Sequence, residues 1–230
     1  MPNALTPRPP GRNPQRHAPH RSGLTRDVED ELRATAKPGR APDATARLSR
    51  AAELLERGDA RGASAEARKA KELAGRSPAV REVLGIALYR LERFPEALSE
   101  LQTYRRMSGR ADQNHLIADC LRAVGRPQQV QPVVDEALRA KIPNESKAEA
   151  VIVGASALAD LGRYEESLAR LRRARTNDDV ARPYVLRLWY VTGDVLARAG
   201  RPEEAAREFR KIVRHDPGAF DAAERLAALT

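Results

Sequence analysis

The chain of 230 residues is 41% hydrophobic but only 4% aromatic, holds one cysteine, Cys120, and carries a formal net charge of +9 with a pI near 10.2. These values exclude an intramolecular disulfide and suit a reducing, cytoplasmic setting, while no apolar run approaches the ~20 residues that cross a bilayer. Arginine and proline stand where a signal peptide would need an apolar core, and the alanine-, arginine- and leucine-rich composition points to closely packed helices rather than sheets.

Residues 1–23 contain six prolines and no acid, so they are expected to form a disordered, basic tail that cannot bury enough surface to offset its ordering entropy. Arg8, Arg12, Arg16 and Arg21 in this tail are candidate contacts for an anionic partner such as RNA or a ribosome. Residues 24–37 place Leu24, Val28 and Leu32 on one face of a short amphipathic helix with acids near its start. Pro38-Gly39 ends it, residues 38–43 read as a hinge, and Asp43 is the expected N-cap of the following helix.

From residue 44 onward the chain is periodic. Turn glycines are followed five positions later by a small residue, as in Gly58 with Ala63, Gly125 with Val130, Gly162 with Ser167 and Gly200 with Ala205; Glu92 takes the turn position before Ala97. The predicted repeats are 44–77, 78–111, 111–144, 148–181 and 186–219, with a capping helix at 219–230 that aligns Phe220, Ala223, Leu226 and Leu229. Gly85, Ala118, Ala155 and Gly193 on first helices are expected to face Ala97, Val130, Ser167 and Ala205 on second helices, letting backbones close. The first repeat is poor in bulk and has Gly62 inside its second helix, which predicts a weaker, more mobile end.

The stretch from Leu188 to Pro217 is the clearest copy, with Trp189, Gly193, Leu196, Ala205, Phe209 and Pro217 in helix–turn–helix spacing. It resembles the tetratricopeptide repeat (TPR), a hairpin of about 34 residues. The chain from residue 27 to 230 is also similar to actinobacterial TPR proteins of uncharacterised function that carry a basic low-complexity tail, through DVEDELR, VREVLGIALYRLERFPEALSEL, RRMSGR, ADCLRAVGRPQQV and IVGASALADLG. The resemblance implies an all-α, right-handed TPR α-solenoid of about five repeats with a C-terminal cap. It further implies a non-catalytic scaffold that binds a protein or peptide segment in a concave groove lined by first helices. The groove positions are then Glu82, Tyr89 and Arg90; His115, Asp119 and Arg122; Glu149 and Asp160; Arg187, Tyr190, Asp194 and Arg198. Arginines suit carboxylates there and tyrosines offer rigid packing. Self-association through the groove is a further expectation. Arg207, Lys211 and Arg214 share a helix face and join the tail arginines as candidate contacts for RNA or a ribosome, without interleaved aromatics for base stacking.

His115 and Asp119 lie four residues apart beside Cys120, but without a second histidine or a C-x-x-C pair no metal site is expected. No phosphate-binding loop, nucleophile elbow or dinucleotide fingerprint occurs, so neither cofactor nor enzymatic activity is expected.

Overall fold

The computed structural model describes residues 23–174 and 182–229. The tail with Arg8, Arg12, Arg16 and Arg21, and residues 175–181 of the predicted fourth repeat, lie outside the described residues.

The described chain is helical, and it divides at Arg126/Pro127 into two compact units. The first unit contains α1 (Arg26–Thr35), α2 (Ala41–Glu56), α3 (Ala60–Leu73), α4 (Pro78–Arg90), α5 (Phe94–Ser108) and α6 (Asn114–Ala123). The second contains a 3-10 turn at Pro127–Gln129, then α7 (Val130–Arg139), α8 (Asn144–Asp160), α9 (Tyr164–Leu171), α10 (Pro183–Arg198), α11 (Pro202–His215) and α12 (Ala222–Ala227).

Helix starts follow local chemistry. Pro78, Pro95, Pro183 and Pro202 occupy first-turn positions, where the missing N–H costs nothing. Between the paired helices, Gly58, Gly125, Gly162 and Gly200 adopt φ of 73–83°, and Glu92 takes φ 60° at the equivalent place. Glu92 therefore holds a left-handed conformation that costs an L-residue roughly 1 kcal/mol more than glycine.

Three expectations are revised. Asp43 is not the cap: α2 starts at Ala41 and Asp43 pairs with Arg40 at 2.9 Å from inside the first turn. Gly62 lies at the start of α3, not its interior; its N–H donates to the Asp59 side chain at 2.8 Å, so it completes a cap that a Cβ would obstruct. The close neighbours of Gly85 and Gly193 are large rather than small. A Cβ on Gly85 would lie 2.7 Å from Leu101, and one on Gly193 would lie 3.0 Å from the Phe209 ring. Each glycine makes room for a bulky side chain one helical turn beyond the small residue. Ser167 does reach Ala155, donating its hydroxyl to the Ala155 carbonyl at 2.8 Å.

In the first unit, Leu24, just before α1, and Leu32 of α1 pack against Ala44, Leu48, Ala70, Ala74 and Val80. Glu31 of the same helix accepts from the Ser77 hydroxyl and from the Ala79 N–H at 3.0 Å, while Ser77 Oγ accepts from the Val80 N–H at 3.1 Å. A carboxylate thus sits at the positive end of α4. The core of the second unit runs from Val151 and Ile152 through Leu168, Val185 and Trp189 to Phe209 and Ile212.

Candidate functional site

The predicted groove residues fall on first helices of consecutive hairpins, and within each unit the fold joins many of them to one another. In the first unit, Asp119 is the centre. The Tyr89 hydroxyl donates to Asp119 Oδ2 at 2.6 Å and Arg122 Nη1 donates to Oδ1 at 3.0 Å, so both oxygens of this buried carboxylate are satisfied. Phe94 meets the Tyr89 ring edge-on at 5.9 Å. Arg90 reaches back and donates to the Leu55 carbonyl at 2.6 Å, satisfying an open acceptor in the last turn of α2. His115 Nδ1 lies 3.1 Å from the Asp112 carbonyl.

Glu82 accepts from Gln113 Nε2 at 2.7 Å. Burial, reinforced by nearby Asp112, raises its carboxyl to about 7. The folded state therefore binds this proton more tightly than the unfolded chain. The resulting stabilisation is fully present below about pH 4.5 and is lost as pH rises through about 7. Glu82→Gln is expected to be the more stable protein at pH 8, by on the order of 1–3 kcal/mol, and to flatten this part of the stability–pH curve. Urea denaturation between pH 5 and ~8 tests this, and parallel curves for both proteins would contradict it.

In the second unit, Arg198 Nη2 donates to the Ala159 carbonyl at 2.7 Å, repeating the Arg90 contact. Its Nη1 lies 3.4 Å from Asp160 and 3.7 Å from Asp194. The Tyr190 hydroxyl donates to Asp221 at 2.6 Å, and Arg225 donates to Asp194 at 2.9 Å. Asp221 and Arg225 are residues that the apolar reading of the C-terminal cap misses. The repeat supplies the signal for them: Tyr89 and Asp119 are 30 residues apart, Tyr190 and Asp221 are 31 apart, and Asp194 and Arg225 are 31 apart.

Arg187 differs from its neighbours. Only 6% exposed, it brings Nη1 within 3.1 Å of Glu149 Oε2, an ion-pair distance without hydrogen-bond direction, and its Nε–H has no acceptor among the described residues.

Cys120 is fully buried, and desolvation followed by the Asp119 charge pushes its thiol up to about 12, opposite to the shift a nucleophile requires. No described group of three or more histidine, cysteine or acidic residues could hold a metal ion. No described helix is long and apolar enough to cross a membrane. Arg207 and Arg214 are exposed on α11. Lys211 pairs with Glu208 at 2.9 Å and lies 5.8 Å from the Trp189 ring centre, and that ring also stacks with His215 at 5.4 Å.

Comparison with known proteins bears on α8 to α12 most directly. Residues 152–228 match the tetratricopeptide repeat. TPR structures share the fold at low identity. A thermophilic TPR protein from Thermus thermophilus is 18% identical with a TM-score of 0.64, covering 81% of this chain and 98% of its own. YrrB, a TPR protein with an unusual peptide-binding site, is 20% identical with a TM-score of 0.57, covering 86% and 97% respectively. The human IFIT1 dimer with PPP-AAAA is 19% identical with a TM-score of 0.60; the match covers 88% of this chain and 50% of IFIT1. No curated protein matches significantly in sequence. The fold is an all-α solenoid of helix hairpins of the TPR type.

Proposed function

We propose that the chain is a non-catalytic interaction scaffold that takes a peptide segment of another protein on its first-helix face. Arg187 carries this reading. A nearly buried guanidinium N–H without an acceptor costs about 1–3 kcal/mol, and a carboxylate or backbone carbonyl from a bound peptide would supply that acceptor. The planar fork of arginine holds such a group in a fixed direction. Tyr190, Asp194 and Arg198 extend the same helix, but their contacts with Asp221, Arg225 and the Ala159 carbonyl give them a shaping role beside it.

The test begins with peptides selected from a random display library on the full chain. The tightest one is then titrated against the natural protein and against Arg187→Lys, which retains the charge beside Glu149 but removes the fork. Affinity is expected to fall about tenfold with melting unchanged, corresponding to roughly one charge-assisted hydrogen bond. Equal affinities would remove Arg187 from the binding face.

The alternative is an RNA- or ribosome-bound protein held through the tail arginines together with Arg207, Lys211 and Arg214. Of these, Arg207 and Arg214 project from the exposed side of α11, whereas Lys211 is paired with Glu208. This alternative predicts binding that falls steeply with salt.

A further inference from the structure

The turns between paired helices repeat a small ionic device. Arg93 pairs with Glu96 at 2.5 Å, Arg163 with Glu166 at 2.6 Å and Arg201 with Glu204 at 2.7 Å, each three residues apart. The third hairpin keeps the arginine, Arg126, but has Gln129 in place of the carboxylate. The Arg126 guanidinium is exposed and has no ionic or hydrogen-bonding partner among the described residues, and the same holds for Arg106.

Both arginines line an open groove of about 780 Å³ along α5 in the first unit. Leu98 and Val124 provide apolar surface, Gln102 provides an amide, and no carboxylate is among the lining residues. One repeat earlier, a groove of about 460 Å³ runs along α3, bounded by Arg61, Arg68, Leu91 and Arg93. There the charge is partly offset from outside: Glu96 takes Arg68 at 2.8 Å as well as Arg93. Gln102 stands 34 residues after Arg68, and Gln129 stands 33 residues after Glu96. Both partners of the inter-repeat ion pair are thus replaced by amides in the repeat that holds the larger groove.

We infer that the α5 groove is a second docking site, separate from the first-helix face, for a short acidic peptide segment whose carboxylates pair with Arg106 and Arg126 around an apolar residue. Charge complementarity selects the occupant: unpaired guanidinium groups over apolar surface match alternating acidic and apolar side chains. The absence of aromatic rings from the groove lining disfavours a nucleic acid, which would gain no stacking there.

The test is a fluorescence-anisotropy titration of the full chain with a short peptide alternating glutamate and leucine, at ~50 mM salt, beside its glutamine–leucine counterpart. The acidic peptide is expected to bind at least about tenfold more tightly than the neutral one. Gln129→Glu restores the carboxylate that three other turns possess and is expected to weaken binding about tenfold, as is the double change Arg106→Gln with Arg126→Gln. Arg61→Gln in the α3 groove, where Glu96 already occupies two of the arginines, is expected to leave binding unchanged. Equal binding of the two peptides, or undiminished binding by Gln129→Glu, would overturn the proposal. So would displacement of the peptide by oligouridylate with higher affinity, which would give the groove to nucleic acid. All these substitutions are at solvent-facing positions, and Gln129→Glu alone decides the matter if the double variant does not fold.

Discussion

Phe209→Ala is expected to destabilise the second unit by about 3–5 kcal/mol, lowering its melting temperature by at least roughly 12 °C. The ring is fully buried, lies over Gly193, meets Tyr190 edge-on at 5.8 Å and carries the Arg225 guanidinium 5.2 Å from its centre. Truncation removes apolar burial and leaves a cavity that a glycine cannot close. It also loosens α12, because Arg225 rests on the ring while donating to Asp194, and Tyr190 packs on both Phe209 and Phe220. Thermal denaturation followed by circular dichroism checks the size of the effect. A loss below about 1 kcal/mol would mean that the α10–α11 hairpin is not organised by this contact.

Leu32→Ala should release α1 from the first unit. A ten-residue helix is marginal in isolation, so its order depends on docking. Leu32 is completely buried in the cluster with Ala44, Leu48 and Val80. Truncation of such a leucine typically costs about 2–5 kcal/mol, but here the cost cannot exceed the free energy that docks α1, since beyond that point the helix simply leaves. The distinctive consequence is at α4. Undocking withdraws Glu31 from Ser77 and Ala79, so amide hydrogen exchange should rise in residues 77–80 as well as in 26–35. Increased exchange in α1 alone would show that the Glu31 contact does not support α4. The same interaction dictates how the tail should be removed. A deletion ending at residue 22 preserves α1, whereas one extending through the hinge would expose Leu48 and Val80 and confuse loss of binding with loss of fold.

Much of the hairpin order is legible in the residues because local chemistry sets it. Turn glycines require positive φ, prolines open helices, and small residues mark close approaches. Glu92 is readable as a turn only through the register of its neighbours, since nothing in its own chemistry favours φ 60°. The partnership of Gly193 with Phe209, in place of the small residue before it, depends on how two helices mesh and not on either helix's pattern. The first-helix face is less legible still. Composition shows mixed charge there, but it does not show that Tyr89 and Arg122 converge on Asp119, or that Arg90 and Arg198 cap the preceding first helix. Arg122 and Asp119 are only three residues apart on α6, but the other contacts join residues roughly a repeat apart, so they become visible only when positions are compared across hairpins. The change from glutamate to Gln129 is equally silent until the four turns are set side by side.

The most direct measurement is capture from a lysate by the immobilised full chain, with and without nuclease, beside Arg187→Lys and a chain beginning at Gly23, read by mass spectrometry. If a peptide on the first-helix face is the ligand, the same proteins are retained after nuclease and after loss of the tail, and Arg187→Lys retains them poorly. If retention disappears with nuclease or with the tail while Arg187→Lys captures normally, binding resides in the basic tail and the central claim is contradicted.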